Sequence, residues 1–280
     1  MSSSYKVKLS RAEKHLQDVR EAVSDYVAGK PYLITEEEEP KALRRMWRIT
    51  LTKPIPPDIA PAVGDCIHNL RSVLDNWVHE FSTSEAGCPV RDTGFPILKD
   101  EPNWDVGPCG SRKDSGAFRV RRLPEAVQTV IKAYQPFDNS LTVPAHIRTE
   151  LRRLHLLDIR DKHQALNVVA ANMDVIGWGV PEGTTGGIGH RVFREMLELN
   201  TPKPMLLIKF ANRAEFDVSV NPSADLQVVL IDEEPRWWPP PELTVILEGF
   251  SRSVAHAIRL LNFAYETGKS PFIPVEPSSE

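Results

Sequence analysis

The sequence predicts an α+β fold: a bundle-like core of about five helices packed with an antiparallel β-sheet. Three observations carry that expectation. Apolar residues recur at helical spacing over 10–28, 58–82, 124–165 and 241–267. Between 166 and 232 this period gives way to short alternating runs set off by Gly, Pro and Asp. The 280 residues are 41% hydrophobic and 26% charged, an ordinary globular balance that can bury a real core. We expect one domain over 1–280, with a loose Pro- and Ser-rich tail from 269.

The elements follow in order. Ser10-Arg11-Ala12-Glu13 has the form of a capping box. Leu16, Val19, Val23 and Tyr26 then share a stripe, and Gly29 is a natural stop. Tyr32 to Thr35 reads as a strand, and the acidic run Glu36 to Glu39 as a solvated turn. Met46 to Thr52 alternates and should form a hairpin with the first strand. A long helix follows over 58–82. From Ser84 to Arg122 the pattern is lost, which suggests a functional or mobile loop with a basic end. Pro124 opens a helix that stops at Gln135-Pro136-Phe137, and another runs over 144–163. Candidate strands are 173–180, 190–199, 204–211, 216–220 and 226–231, with a hairpin tip at 183–189. The glycines of that tip lack the context of a phosphate loop. Arg236-Trp237-Trp238 and three prolines form a connector to the last helix, whose stripe is Leu243, Ile246, Leu247, Phe250, Val254, Ile258, Leu261 and Tyr265.

Net charge is −4, so no global basic signal for nucleic acid is present. Three cysteines, Cys66, Cys88 and Cys109, suggest neither a disulfide framework nor a zinc ribbon, and a cytoplasmic setting fits them. The N-terminus has no apolar core for a signal peptide, and no apolar run is long enough for a membrane span.

Function is expected on the helix at 58–82. Cys66, Ile67, Leu70, Val73, Leu74, Trp77, Val78 and Phe81 share one face. The other carries Asp65, His68, Asn69, Arg71, Ser72, Asp75, Asn76 and His79, and no Lys. Short or planar polar side chains of this kind suit fixed hydrogen bonds. The second half of the site is expected on 144–163. There Ile147, Leu151 and Leu154 make an apolar arc that His155, Asp158 and Lys162 enter or border. Burying an unpaired charge is costly, so these groups need partners on the first helix or a ligand. Asp161 and His163 lie beside them. His68, Arg71, Asp75, His155, Asp158 and Lys162 are the candidates for chemistry; Asp65, Asn76, His79, Asp161 and His163 are the candidates for binding. Asp65-x-x-His68 and His155-x-x-Asp158 have metal-ligand spacing, but Arg71 and Lys162 would oppose a cation, so no metal and no cofactor is expected. A buried network that only fixes helix packing is the competing reading.

These motifs resemble those of a family of uncharacterised bacterial proteins. The likeness covers roughly 60–165 and rests on Gly64-Asp65-x-x-His68-Asn69-Leu70-Arg71-Ser72-x-Leu74-Asp75, Phe95-Pro96-Ile97, Gln135-Pro136-Phe137 and Leu154-x-x-Leu157-Asp158-x-x-Asp161-Lys162-His163. It brings no established activity. In that family a His often follows the first motif's Asp and an Arg the second motif's His; here those positions are Asn76 and Gln164. The first motif also loosely resembles the Arg-x(4–6)-His signature of HEPN ribonucleases, helical bundles that cut RNA without metal, commonly as dimers. After four intervening residues from Arg71 the chain has Asn76, and His79 comes about one turn later. The His/Arg/Asp/Lys constellation between the two helices points to an anionic ligand, a nucleotide or RNA, with phosphodiester cleavage as its chemistry; the HEPN resemblance implies RNA cleavage, an Arg that steadies phosphate charge and a homodimer. The alternative is a structural or protein-interaction protein without enzymatic activity.

Overall fold

In the computed structural model the described residues are 3–139, 142–162, 166–176, 189–231 and 241–272. They form α1 (Ser4–Ala28), β1 (Tyr32–Glu39), β2 (Arg44–Leu51), α2 (Ile59–Ala86), α3 (Pro102–Asp105), α4 (Gly116–Val120), α5 (Glu125–Ala133), α6 (Ala145–Asp161), β3 (Asn167–Ile176), β4 (Gly189–Val192), β5 (Glu195–Leu197), β6 (Lys203–Lys209), α7 (Arg213–Phe216), β7 (Ser223–Ile231) and α8 (Leu243–Thr267). The α+β class holds. The chain divides into two compact units: 1–17, 62–165 and 246–280 in the first, and 18–61 and 166–245 in the second.

The first unit is helical. On α2, Ile67, Leu70, Val73, Leu74, Trp77 and Val78 are all fully buried, as their spacing requires. Trp77 stacks on Phe81 at 4.3 Å and donates Nε1–H to Asn262 Oδ1 at 2.8 Å. Leu247, Phe250, Val254 and Leu261 of α8 are buried, and so are Ile147, Leu151, Leu154 and Leu157 of α6.

α1 corrects the expected start at Ser10: the helix begins two turns earlier, at Ser4. Its cap is Glu80 of α2. That carboxylate accepts from Ser4 N at 3.0 Å and from Ser3 Oγ at 2.9 Å, satisfying backbone donors that the first turn leaves open. The expected loop 84–122 is also corrected in part. It holds α3, α4 and two 3₁₀ turns, and Trp104 and Phe95 are buried anchors.

The second unit carries two antiparallel sheets rather than one, in the orders β1-β2-β6-β4 and β5-β3-β7. The acidic run Glu36–Glu39 is strand, not turn. It lies across from β2, where Glu37 pairs with Arg48 at 2.8 Å, Glu39 with Arg44, and Glu36 and Glu38 with Arg45, each at 3.3 Å. Opposite charges across a ladder stabilise pairing that the glutamates alone would oppose. On β2, Arg45, Trp47, Ile49 and Leu51 point inward. The buried Arg45 guanidinium sits over the Phe210 and Phe216 rings and donates to the Phe216 and Val218 carbonyls.

The expected strand 190–199 is split between β4 and β5, which belong to different sheets. Residues 216–220 are not strand. Asn212 Oδ1 accepts from Glu215 N at 2.9 Å and caps the short α7 there instead. The strand expected at 173–180 begins earlier, at Asn167. The hairpin tip, the tryptophan pair and most of the tail fall outside the described residues.

Candidate functional site

The first unit brings α2 and α6 together through their polar faces. Gly64 lets them approach: a Cβ there would lie 2.6 Å from Asp161 Oδ1. One turn along, the buried Asp158 carboxylate is shared. Its Oδ1 lies 3.0 Å from His68 Nδ1, and its Oδ2 accepts from Lys162 Nζ at 2.6 Å. His68 and Lys162 are each about half exposed (46% and 52%), so both partners of this carboxylate reach the surface. The Ser72 hydroxyl lies 3.4 Å from His68 Nε2.

Arg71 faces another way. Nη2 donates to the Phe95 carbonyl at 2.7 Å, and Nε donates to His155 Nδ1 at 3.4 Å. Nη1 lies 3.0 Å from Asp75 Oδ1, an ion pair whose N–H is not aimed at the oxygen. Asp75 Oδ1 also accepts from Phe95 N at 2.9 Å. Arg71 and Asp75 therefore clamp both polar backbone groups of Phe95. Gln135, fully buried, holds the next residues: its Oε1 accepts from Leu98 N at 3.0 Å, and its Nε2 donates to Pro96 O at 2.9 Å. The Phe95-Pro96-Ile97 and Gln135-Pro136-Phe137 motifs thus meet in space.

His155 accepts from Arg71 and is neutral. Burial first, then the nearby Arg71 charge, pulls its pKa down to about 4, with Asp158 opposing. Burial and the neighbouring Asp158 and Asp65 charges hold the Asp161 carboxyl above its ordinary range. His79 Nδ1 lies 3.2 Å from Thr93 Oγ1, and Asn76 is half-buried on the same helix. His163 lies outside the described residues.

The sequence reading missed the other wall. Lys8, Arg11, Lys14 and His15 of α1 line an open groove of about 500 Å³ with Asp65, His68 and Asn69 of α2. The signal was present, since positions 8, 11 and 15 fall on one helical face. Asn69 is 6% exposed; its Nδ2 donates to Asp65 O at 2.7 Å, and its Oδ1 has no partner. Behind this wall the Cys66 thiol lies 3.6 Å from Ala12 O, and burial pushes its pKa up to about 12.

Among the described residues, no group of three or more His, Cys, Asp or Glu is arranged to hold a metal ion. No helix there is long and apolar enough to cross a membrane. Comparison with known proteins finds no matching family, no matching curated protein and no matching solved structure.

Proposed function

We propose that this protein binds a phosphate-bearing anion, a nucleotide or RNA, in the groove between α1 and α2, and that His68 moves protons there. One observation carries the reading. Three permanent cations, Lys8, Arg11 and Lys14, line an open groove that also exposes a histidine backed by a buried carboxylate. Cations that converge on a groove focus potential and favour anions. The groove volume falls in the range of small-ligand sites, roughly 300–1,000 Å³.

The dyad supplies the chemistry. With Nδ1–H donated to Asp158, the imidazole leaves its Nε2 lone pair free to accept, beside the Ser72 hydroxyl at 3.4 Å. Nε2 then takes the proton of an attacking hydroxyl as that oxygen bonds to phosphorus and the opposite P–O bond breaks, the leaving oxygen being protonated by water. Lys162 holds the second carboxylate oxygen and keeps Asp158 oriented. In the HEPN resemblance the Arg steadies phosphate. This proposal gives that task to the cations of α1, because Arg71 is occupied by Phe95.

A structural role suits the other residues of the constellation. The clamp of Arg71, Asp75 and Gln135 on 95–98 is made of buried and part-buried bonds to backbone.

The test is a thermal melt with AMP and with oligoadenylate, together with cleavage of labelled RNA. A ligand at about a hundred times its dissociation constant should stabilise the protein by about 2.7 kcal/mol. The combined Lys8→Ala, Arg11→Ala and Lys14→Ala variant should lose that gain. His68→Ala should keep binding and lose cleavage. If neither ligand raises the melting temperature of the wild type, the reading is wrong.

A further inference from the structure

The groove is not uniformly cationic. Asp65 lies on its α2 wall, exposed, among Lys8, Arg11, Lys14, His15 and His68. A site for bare phosphate or polyphosphate gains nothing from a carboxylate, which repels every ligand oxygen. A carboxylate accepts only from O–H and N–H donors. Next to it Asn69, also lining the groove, holds a buried amide oxygen with no partner. Its amide nitrogen is committed to Asp65 O, so the side chain cannot turn without breaking that bond. The exposed Asp65 carboxylate therefore offers an acceptor to a donor in the groove, beside cations that favour an anion, and the unpartnered Asn69 oxygen is buried one helical turn away.

We infer, resting on the phosphate-binding reading above, that the ligand is a ribose phosphate: Lys8, Arg11 and Lys14 take the phosphate, while Asp65 accepts from the 2′-hydroxyl of the sugar. Carboxylates recognise ribose in this way, and the 2′-hydroxyl is the group that separates RNA chemistry from DNA chemistry. The same chemistry comes from a free ribonucleotide or from an RNA chain.

Calorimetric titration of the intact chain separates the outcomes. The probes are inorganic phosphate, AMP, 2′-deoxy-AMP, oligoriboadenylate and oligodeoxyadenylate. Each ribo ligand is expected to bind at least about tenfold tighter than its deoxy counterpart, roughly the worth of one lost hydrogen bond to a charged acceptor. Asp65→Ala should bring ribo affinity down to the deoxy value and leave deoxy affinity unchanged or higher. Asp65→Asn, still an acceptor, should keep part of the preference. A tighter oligomer than monomer names RNA as the source; equal affinities name the free nucleotide. Equal ribo and deoxy affinity in the wild type overturns the inference even if phosphate binding stands, and so does an equal loss of both in a folded Asp65→Ala protein. If no probe binds, the phosphate reading falls and this inference falls with it.

Discussion

The polar face of α2 has two halves built from the same residue types, and they end differently. Toward its N-terminal side, Asp65, His68 and Asn69 open onto a groove. One turn further, Arg71 and Asp75 close on the backbone of Phe95. What separates them is the partner. A carbonyl and an amide of the chain's own loop satisfy the second half, so its charges serve stability. Among the described residues no such segment covers the first half, where an unpaired acceptor and a cluster of cations remain. An Arg and a His three residues apart on one helix can thus have unrelated jobs.

The largest expected effect breaks the closed half. Arg71→Ala removes a buried cation, strands the Phe95 carbonyl and takes the ion-pair partner from Asp75. It should cost about 3–4 kcal/mol in urea unfolding; an unchanged midpoint would show that the clamp bears no load. Gln135→Ala should cost about 2 kcal/mol, because three backbone partners on Pro96, Leu98 and Ile131 lose it.

Next comes a pH effect. Above about 6.5 His155 is neutral whether the chain is folded or not. As pH falls from about 6.5 toward about 4, the unfolded chain takes a proton that the folded site refuses, so stability declines across that window. The loss is on the order of 3 kcal/mol. His155→Gln, which keeps an acceptor for Arg71, should flatten the curve of stability against pH between those limits.

The smallest effects sharpen the open half. Lys8→Ala, Arg11→Ala and Lys14→Ala should each change stability by less than about 0.5 kcal/mol, since Arg11 and Lys14 are exposed, Lys8 is half-buried, and none belongs to the core. Gly64→Ala sets a helix-propensity gain of about 1 kcal/mol against displacement of Asp161. It should stabilise only in an Asp161→Ala background, which a double-mutant comparison of melting temperatures will read.

Much of this was legible in the sequence. The apolar stripe of α2 was read residue by residue, because burial follows helical spacing. The meeting of α2 and α6 was legible too, because Asp158 interrupts an apolar arc and needs a partner. Other features were set by distant residues. Ser10 looked like a cap, but the cap that operates is Glu80, 76 residues from Ser4. Glu36 to Glu39 looked like a turn until the arginines of β2 lay opposite them. A helical wheel of α1 puts Lys8, Arg11 and His15 on one face, but only the tertiary fold sets Asp65 and His68 across from them.

The division of the face is tested most directly by one thermal melt, run with and without AMP at saturation, on Arg71→Ala and Arg11→Ala side by side. The account predicts that Arg71→Ala melts early yet keeps the ligand-induced rise, while Arg11→Ala melts with the wild type and loses most of the rise. The reverse pattern, with the rise lost in Arg71→Ala and kept in Arg11→Ala, would place the ligand on the half that we assign to structure.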